Sequence, residues 1–476
     1  MITALILLPL LAAVAAALIP RLRLAGWLLP LIGAGHFTLA LATPLSPTGN
    51  GDWLILDPLG RLVLIVTSLL FLLCSIYAVA YLRFHQQQRD SRAMVPCLLF
   101  FLATLTLATV AHHLGLLWVA VETTTLASAP LIYYNRNRLS IEATWKYLLL
   151  GSVGIALAML GILCTAYAVL HVDQPVSLQF DQLLANVAGS SRPWLHTGFV
   201  FLLVGFGTKM GLAPLHSWKP DAYGEAPALV GALLAGGLTS VAFLGILRGV
   251  QLMAAAGDLA LARQSLVIMG LLSLALAAVF VVKQPDVKRM LAYSSVEHMG
   301  ILALGVGIGG LATFGAMLHL VNNSLTKGAL FLSAGNIQRA YASKHLSEVR
   351  GAMSRVPLSA GIFVAGFLAI TGSPPFGPFI SEFTILRGIF GEGHPWLGGV
   401  FLLLLAIVFI GMGGTVLMAT QGEAPTDTPP SEHRDTAMLA GPPLVLLVLV
   451  LILGLYLPEP LRVGLEQAAA LLEAKP

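Results

Sequence analysis

Apolar runs of membrane-spanning length recur from one end of this chain to the other, separated by short polar connections. Read by length and hydropathy, the pattern predicts about fourteen spanning helices. The first seven fall near residues 2–20, 24–43, 60–82, 94–111, 113–133, 145–171 and 195–217. The remainder fall near 225–250, 262–282, 290–309, 312–338, 357–388, 396–420 and 437–458. The expected fold class is therefore an all-α integral membrane protein. No basic residue precedes the first run, and Arg21 and Arg23 follow it, so it is expected to be a retained helix rather than a cleaved signal.

Two of the runs are interrupted. In the seventh, Lys209 lies between Gly207 and Gly211, with Pro214 five residues beyond. Proline removes a backbone donor and clashes with the preceding turn, so the helix is expected to break beside its charge. The twelfth run carries Pro374, Pro375 and Pro378, followed by Glu382. The two lie five spans apart and enter the membrane in opposite senses. Corresponding broken helices suggest two inverted five-helix repeats with ion sites at the breaks. This divides the chain into an N-terminal three-helix region (1–93), a first repeat (94–250), a second repeat (251–420) and a final segment (421–476). That segment holds a polar, proline-rich loop at Gln421–Asp435, the last span and a short tail. In the tail, Leu461, Leu465, Ala468 and Leu472 line one face of an amphipathic helix expected to rest on the membrane surface.

Composition changes this picture little. The 476 residues are 57% hydrophobic and 10% charged, with a formal net charge of +4. A soluble domain carries roughly 25% charged residues, and no polar connection is long enough to hold one. Nucleic-acid binding has no support, because the basic residues sit in short loops and report topology instead. Most occupy alternate loops, among them Arg21, Arg83, Arg136, Lys288, Arg289 and Arg350. The positive-inside rule places those loops in the cytoplasm and both termini on the outer, periplasmic side of the inner (cytoplasmic) membrane. Lys288 and Arg289 are expected to be topological anchors, and His112 and His113 to lie at the interface. Cys74, Cys97 and Cys164 each sit inside an apolar run without CxxC spacing, as small buried residues do. No iron–sulfur, Walker or dinucleotide motif is present. No cofactor or metal is assigned to this chain, and any redox chemistry would take place on a partner.

The candidate chemistry lies in the charges that remain inside the spans. A lysine at the depth of Lys209 costs about 2.5–3.5 kcal/mol on insertion scales, so it needs a partner, a water-filled cavity or a task. Glu122 is the acid of the fifth span; beside Lys209 it would hold that lysine's proton, and moving it would switch the amine between holding and releasing. A structural ion pair is the alternative. In the tenth span Glu297 and His298 lie two to three turns deeper than Lys288, near the hydroxyls of Tyr293, Ser294 and Ser295. In the eleventh, His319 and Lys327 share a helical face, with Asn322 and Asn323 between them. Imidazole titrates near neutrality and passes protons on readily. The series Glu122, Lys209, Glu297, His298, His319, Lys327 and Glu382 points to an ion pathway; a satisfied polar cluster between helices is the alternative for Glu297 and His298, and packing for His319 and Lys327.

At these residues the sequence resembles the antiporter-like membrane subunits of respiratory complex I and of Mrp-type cation/proton antiporters. The resemblance rests on Trp118 to Leu126, Lys209 to Pro227 with its Pro-Leu-His-Ser-Trp-Lys-Pro-Asp core, Asp286 to Gly300, Leu318 to Gly335, and Gly372 to Phe383. Within that superfamily, Tyr-Ser-Ser-Val-Glu297-His298-Met-Gly and the short C-terminus resemble component F of hydrogenase 4, from membrane-bound nickel–iron hydrogenase complexes. The resemblance implies fourteen helices, two inverted repeats and broken seventh and twelfth helices. It also implies proton translocation driven by redox chemistry in a peripheral arm and alongside other membrane subunits. Glu122 and Lys209 match the fifth-helix glutamate and seventh-helix lysine, His319 and Lys327 the central relay helix, and Glu382 the terminal acid. Two departures stand out. The eighth span has Ala235 and Ser240 where many relatives place a lysine or histidine, and Asn323 stands where some have a second histidine. The expected role is a non-catalytic, proton-translocating subunit of a redox complex. The alternatives are an Mrp-type sodium/proton antiporter module and a scaffold that no longer pumps.

Overall fold

The computed structural model describes residues 1–19, 22–47, 52–84, 91–170, 177–423 and 433–473. Arg21 and residues 424–432 of the polar loop, on which two expectations fell, lie outside them. The N-terminal helices are α1 (Ile2–Leu18), α2 (Leu22–Ala42), α3 (Pro58–Phe84) and α4 (Ser91–Val110). Then come α5 (Leu114–Ile132), α6 (Arg138–Val169), a short α7 (Phe180–Asn186), α8 (Arg192–Met210), α9 (Trp218–Glu225), α10 (Ala228–Leu233) and α11 (Thr239–Ala255). The second half holds α12 (Leu259–Val281), α13 (Val287–Ile308), α14 (Leu311–Tyr341), α15 (Ala352–Arg355), α16 (Pro357–Ile370), α17 (Gly377–Gly391) and α18 (Pro395–Thr420). Helices α19 (Ala437–Leu455) and α20 (Glu459–Glu473) close the described chain. Extended pairing is limited, among the described residues, to three isolated bridges.

Ten helical stretches among the described residues are long and apolar enough to cross a membrane, so the protein is a multi-pass membrane protein. The bundle has a lipid-like exterior, with Leu11, Leu31, Leu149, Ile268, Leu403 and Ile410 exposed. Its centre is the continuous stretch Ala228–Ala255, buried along its length, with α13 nearly as enclosed. This stretch is regular except at Leu234–Leu238, where the helix widens into a π turn.

In lipid there is no hydrophobic drive between helices, so close packing relies on small residues. Helices α6 and α8 meet along Gly154, Ala158, Gly161, Gly198 and Gly205. A Cβ at Gly205 would stand 2.5 Å from the Ala158 nitrogen and 2.6 Å from the Gly154 oxygen, backbone atoms that cannot turn aside. The seam holds α8 at a fixed depth against α6. Gly205→Val is accordingly expected to lower the yield of folded protein severely in fluorescence-detected size-exclusion chromatography, and a wild-type elution profile would contradict this.

Helix α8 stops at Gly211 (φ 84°), and α9 begins only at Trp218, with Pro214 in the interruption. Helix α16 stops after Ile370, Gly372 follows with φ 69°, and α17 begins at Gly377 after Pro374 and Pro375. Ala213–Pro214 and Pro374–Pro375 are cis peptides. Each interruption strands helix-end carbonyls inside the protein, where a missing donor is costly. At the first, Trp218 donates to the Thr208 carbonyl (2.9 Å) and Lys219 to the Met210 carbonyl (2.7 Å).

Polar residues gather at the two ends of the bundle. At one end Asp221 holds both Lys146 (2.8 Å) and Arg289 (2.7 Å), while Lys344 bridges Glu225 (2.7 Å) and Asp286 (3.0 Å). Lys288 is not a surface anchor as expected: it is buried and donates to the Ala226 carbonyl at the end of α9 (2.5 Å). At the other end His112 is buried rather than interfacial, paired with Asp181 at 2.7 Å. His113 caps α5 and stacks on Trp53. Helix α20 also departs from expectation. Leu465, Ala468 and Leu472 are buried against α3, α11 and α14, and Glu473 binds the Gly310 amide, Thr313 and Arg263. The same periodicity serves a membrane or a protein surface, and here the bundle supplies the partner.

Arg248 and Asp57 lock α11 to the start of α3 through two hydrogen bonds of 2.5 and 2.8 Å. Burial would raise the Asp57 carboxyl, but Arg248 and the Gly60 amide outweigh it and hold the group below the usual carboxylate range. Its stabilising contribution is complete above the ordinary carboxylate pKa and disappears as pH falls through the lowered value. Arg248→Ala leaves that acid buried without its partner, so a loss of about 3–5 kcal/mol is expected. A lowered thermal midpoint of the solubilised protein would register it; an unchanged midpoint would refute it.

Candidate functional site

The first break builds one polar cluster. Lys209, in the last turn of α8, is fully buried and donates to Thr125 Oγ1 (2.6 Å) and Tyr147 Oη (2.9 Å). Its ammonium also lies 4.5 Å from the centre of the Tyr147 ring. Tyr147 shares a hydrogen bond with Ser128 (2.7 Å). Glu122 accepts from Thr125 (3.2 Å) and from Ser152 (2.9 Å). The expected Glu122–Lys209 pair is therefore not direct: the Thr125 hydroxyl stands between the two charges, accepting from one and donating to the other. Tyr147 and Ser152 come from α6, so the glycine seam with α8 fixes this geometry.

A second cluster surrounds the other break. Lys327 on α14 donates to the Leu291 carbonyl of α13 at 3.3 Å and lies within electrostatic reach of Glu297. Ser294 donates weakly to Glu297 (3.4 Å), and His298 Nε2 is 3.9 Å from the same carboxylate. His298 Nδ1 and His319 Nε2 share a hydrogen bond of 3.0 Å, and His319 Nδ1 meets Ser381 Oγ at 2.9 Å. Ser381 precedes Glu382 on α17. Ligand atoms of His298, His319 and Glu382 all lie within 4.8 Å of one another. Such a set is able to hold a cation, but its two closest nitrogens bond to each other, a contact suited to sharing a proton. Glu382 Oε1 is buried with no hydrogen-bond partner among the described residues, as is His298 Nε2. Gly372 leaves room for the Glu382 carboxylate; a Cβ there would fall 2.2 Å from Oε2. A cavity of about 440 Å³, lined by Glu382, Gly372, Phe383 and Phe409, opens beside it.

Five of the predicted residues (Glu297, His298, His319, Lys327 and Glu382) are thus brought together, and Glu122 with Lys209 form a separate group. Asn322 joins the second group through Ser381 (3.5 Å). Apart from Arg248, held by Asp57, and Gln251, which accepts from Arg248, the central α10–α11 stretch offers hydroxyls: Ser240 contacts Ser324 at 3.2 Å, and Ser324 donates to the Gly236 carbonyl of the π turn at 3.1 Å. Thr125, Tyr147 and Ser381 were not among the predicted residues. Nor was Lys219, which is fully buried and within electrostatic reach of Lys327. Beside Pro220 and Asp221 it reads as part of a solvated turn; only the inward course of α9 buries it. A contrasting case is His36, buried and satisfied at both nitrogens by Ser68 and Thr106 (2.9 Å each), which belongs to neither group.

The pattern of the family described as NADH:quinone oxidoreductase/Mrp antiporter, TM matches residues 111–411. The chain belongs to this family. It is 32% identical to a hydrogenase-4 component F homolog of Methylacidiphilum infernorum (isolate V4), over 99% of each chain. It is 30% identical to NADH-quinone oxidoreductase subunit N of Desulforudis audaxviator, over 86% of this chain and 83% of that one. The fold is also that of a chain in the Mrp complex from Dietzia sp. DQ12-45-1b, with a TM-score of 0.86, 22% identity, and 99% and 97% coverage. Both broken helices, α8–α9 and α16–α17, lie within the family's matched segment.

Proposed function

We propose that this chain is a proton-translocating, antiporter-like membrane subunit of a redox-driven complex related to hydrogenase 4 and complex I. The observation that carries the reading is the enclosed chain Glu297–His298–His319–Ser381, ending beside Glu382 at a helix break. Five buried titratable groups on and beside such a path (Glu297, His298, His319, Lys327 and Glu382) are expensive, and no redox motif in the chain explains them. Membership of the family supports the same reading.

In this reading the bundle crosses the inner membrane fourteen times, the ten long apolar stretches being joined by α1, α8–α9, α14 and α16–α17. Helices α8 and α14 fall short in hydropathy because they carry the path residues themselves. Residues 94–250 and 251–420 form inverted repeats, supported by a positive-φ glycine at each break, Gly211 and Gly372. The end bearing Lys146, Arg289 and Lys344 faces the cytoplasm, and both termini face the periplasm. Partners are other membrane subunits and a peripheral redox arm that holds the electron carriers. Displacement of Glu122 alters the hold of Thr125 on Lys209 and sends a proton toward Lys327, His319 and finally Glu382.

The test is proton uptake by sealed inverted vesicles carrying the intact complex. Uptake driven by redox substrates supports the reading. Sodium-dependent uptake that needs no redox substrate would instead assign the Mrp-type antiporter function, which the family description also includes. An assembled complex whose uptake does not depend on this chain's buried charges would make it a scaffold.

A further inference from the structure

The two clusters leave an unexplained interval, since the central α10–α11 stretch between them carries no lysine or histidine. Lys219 occupies that interval. Its Nζ is 2.7 Å from the carbonyl of Met210, the residue after Lys209, and 3.5 Å from the carbonyl of Ser295, on the helix that carries Glu297 and His298. One ammonium thus touches the backbone of both elements that bear the clusters. Lys327 and His298 both lie within its electrostatic reach. Among the described residues it makes no ion pair within 4.0 Å; Asp221, two positions on, is taken up by Lys146 and Arg289.

The two breaks also treat their charges alike. Gly211 ends α8, and a Cβ there would fall 2.9 Å from Lys219 Nζ. Gly372 follows α16, and a Cβ there would fall 2.2 Å from Glu382 Oε2. In each case a charged side chain from the second half-helix lies over the positive-φ glycine that ends the first. A cation at a helix C-terminus is favourable, so capping α8 explains part of this. Capping alone would be met by a neutral donor, without the cost of enclosing a charge that has no counter-ion.

We propose that Lys219 is the proton carrier that joins the Lys209 cluster to the Lys327 cluster, replacing the titratable residue missing from the eighth span. The inference rests on the proton-translocating function proposed above. The step is a transfer of one proton. The Lys209 ammonium loses an N–H bond and its charge, the neutral Lys219 amine forms one and becomes the ammonium, and it then gives the proton to the Glu297 carboxylate or the Lys327 amine.

The experiment compares Lys219→Arg, Lys219→Gln and Lys219→His with Lys209→Ala in the intact complex in sealed inverted vesicles. Assembly is read by native electrophoresis and proton uptake by quenching of a pH-sensitive acridine dye. Arginine keeps the charge and a donor for Met210 but does not release a proton. Glutamine keeps a donor alone, and histidine restores a titratable group. The expected result is normal assembly, at least tenfold lower uptake with arginine and glutamine, and partial recovery with histidine. If the arginine variant does not assemble, glutamine and histidine carry the comparison. Wild-type uptake in either non-titratable variant overturns the proposal, as does a histidine variant no better than glutamine. Loss of uptake in Lys209→Ala with Lys219→Arg intact would make Lys219 a helix cap while the proposed function stands. Normal uptake in both would remove the function and the proposal together.

Discussion

Lys209→Ala is expected to reduce proton uptake by the intact complex at least tenfold while leaving assembly near wild type. The structure separates these two outcomes. Removing the ammonium takes a donor away from Thr125 and Tyr147, yet neither is left alone: Thr125 keeps Glu122 and Tyr147 keeps Ser128. The protein also no longer encloses a lysine, whose insertion costs about 2.5–3.5 kcal/mol. Folding should therefore tolerate the change. Transport should not, because the group proposed to pass a proton out of the first cluster is gone. Assembly measured by native electrophoresis, beside uptake measured per assembled complex, checks both halves. Normal uptake per complex would refute the assignment of Lys209.

Glu382→Gln is expected to have an effect of similar size for the opposite reason. The amide matches the carboxylate in shape, so the space above Gly372 is filled as before. One Glu382 oxygen has no hydrogen-bond partner among the described residues. A neutral amide there should leave stability little changed and remove the proposed final proton acceptor. Uptake at least tenfold lower, with an unchanged thermal midpoint, is the expected pair of results. Wild-type uptake would show that protons leave by a route that does not include Glu382.

The positions of these charges were legible in the sequence because each interrupts an apolar run, where ionised groups are rare. Glu122, Lys209, His319, Lys327 and Glu382 all came to notice in that way. What joins them was not legible. Thr125 meets Lys209 across 84 positions of sequence, and a hydroxyl inside a span is too ordinary to attract notice. Lys219 escaped because a lysine beside proline and aspartate looks solvated until α9 is seen to turn inward. Lys288 and His112 were misplaced for a related reason. Counting charge in loops assumes that loops face water, whereas here the loop ends fold back to satisfy exposed helix termini. The face of α20 was correctly seen as apolar, but periodicity does not distinguish lipid from protein as its partner. Even the span count follows this logic, because α8 and α14 lose hydropathy through the residues proposed to do the work.

The central claim is that this chain itself moves protons, and the most direct test is a stoichiometry. Protons translocated per electron transferred should be measured in sealed inverted vesicles for the wild-type complex and for one carrying Lys209→Ala together with Glu382→Gln. Electron transfer that continues while the ratio falls by this subunit's share is the predicted result. An unchanged ratio in a fully assembled complex would contradict it.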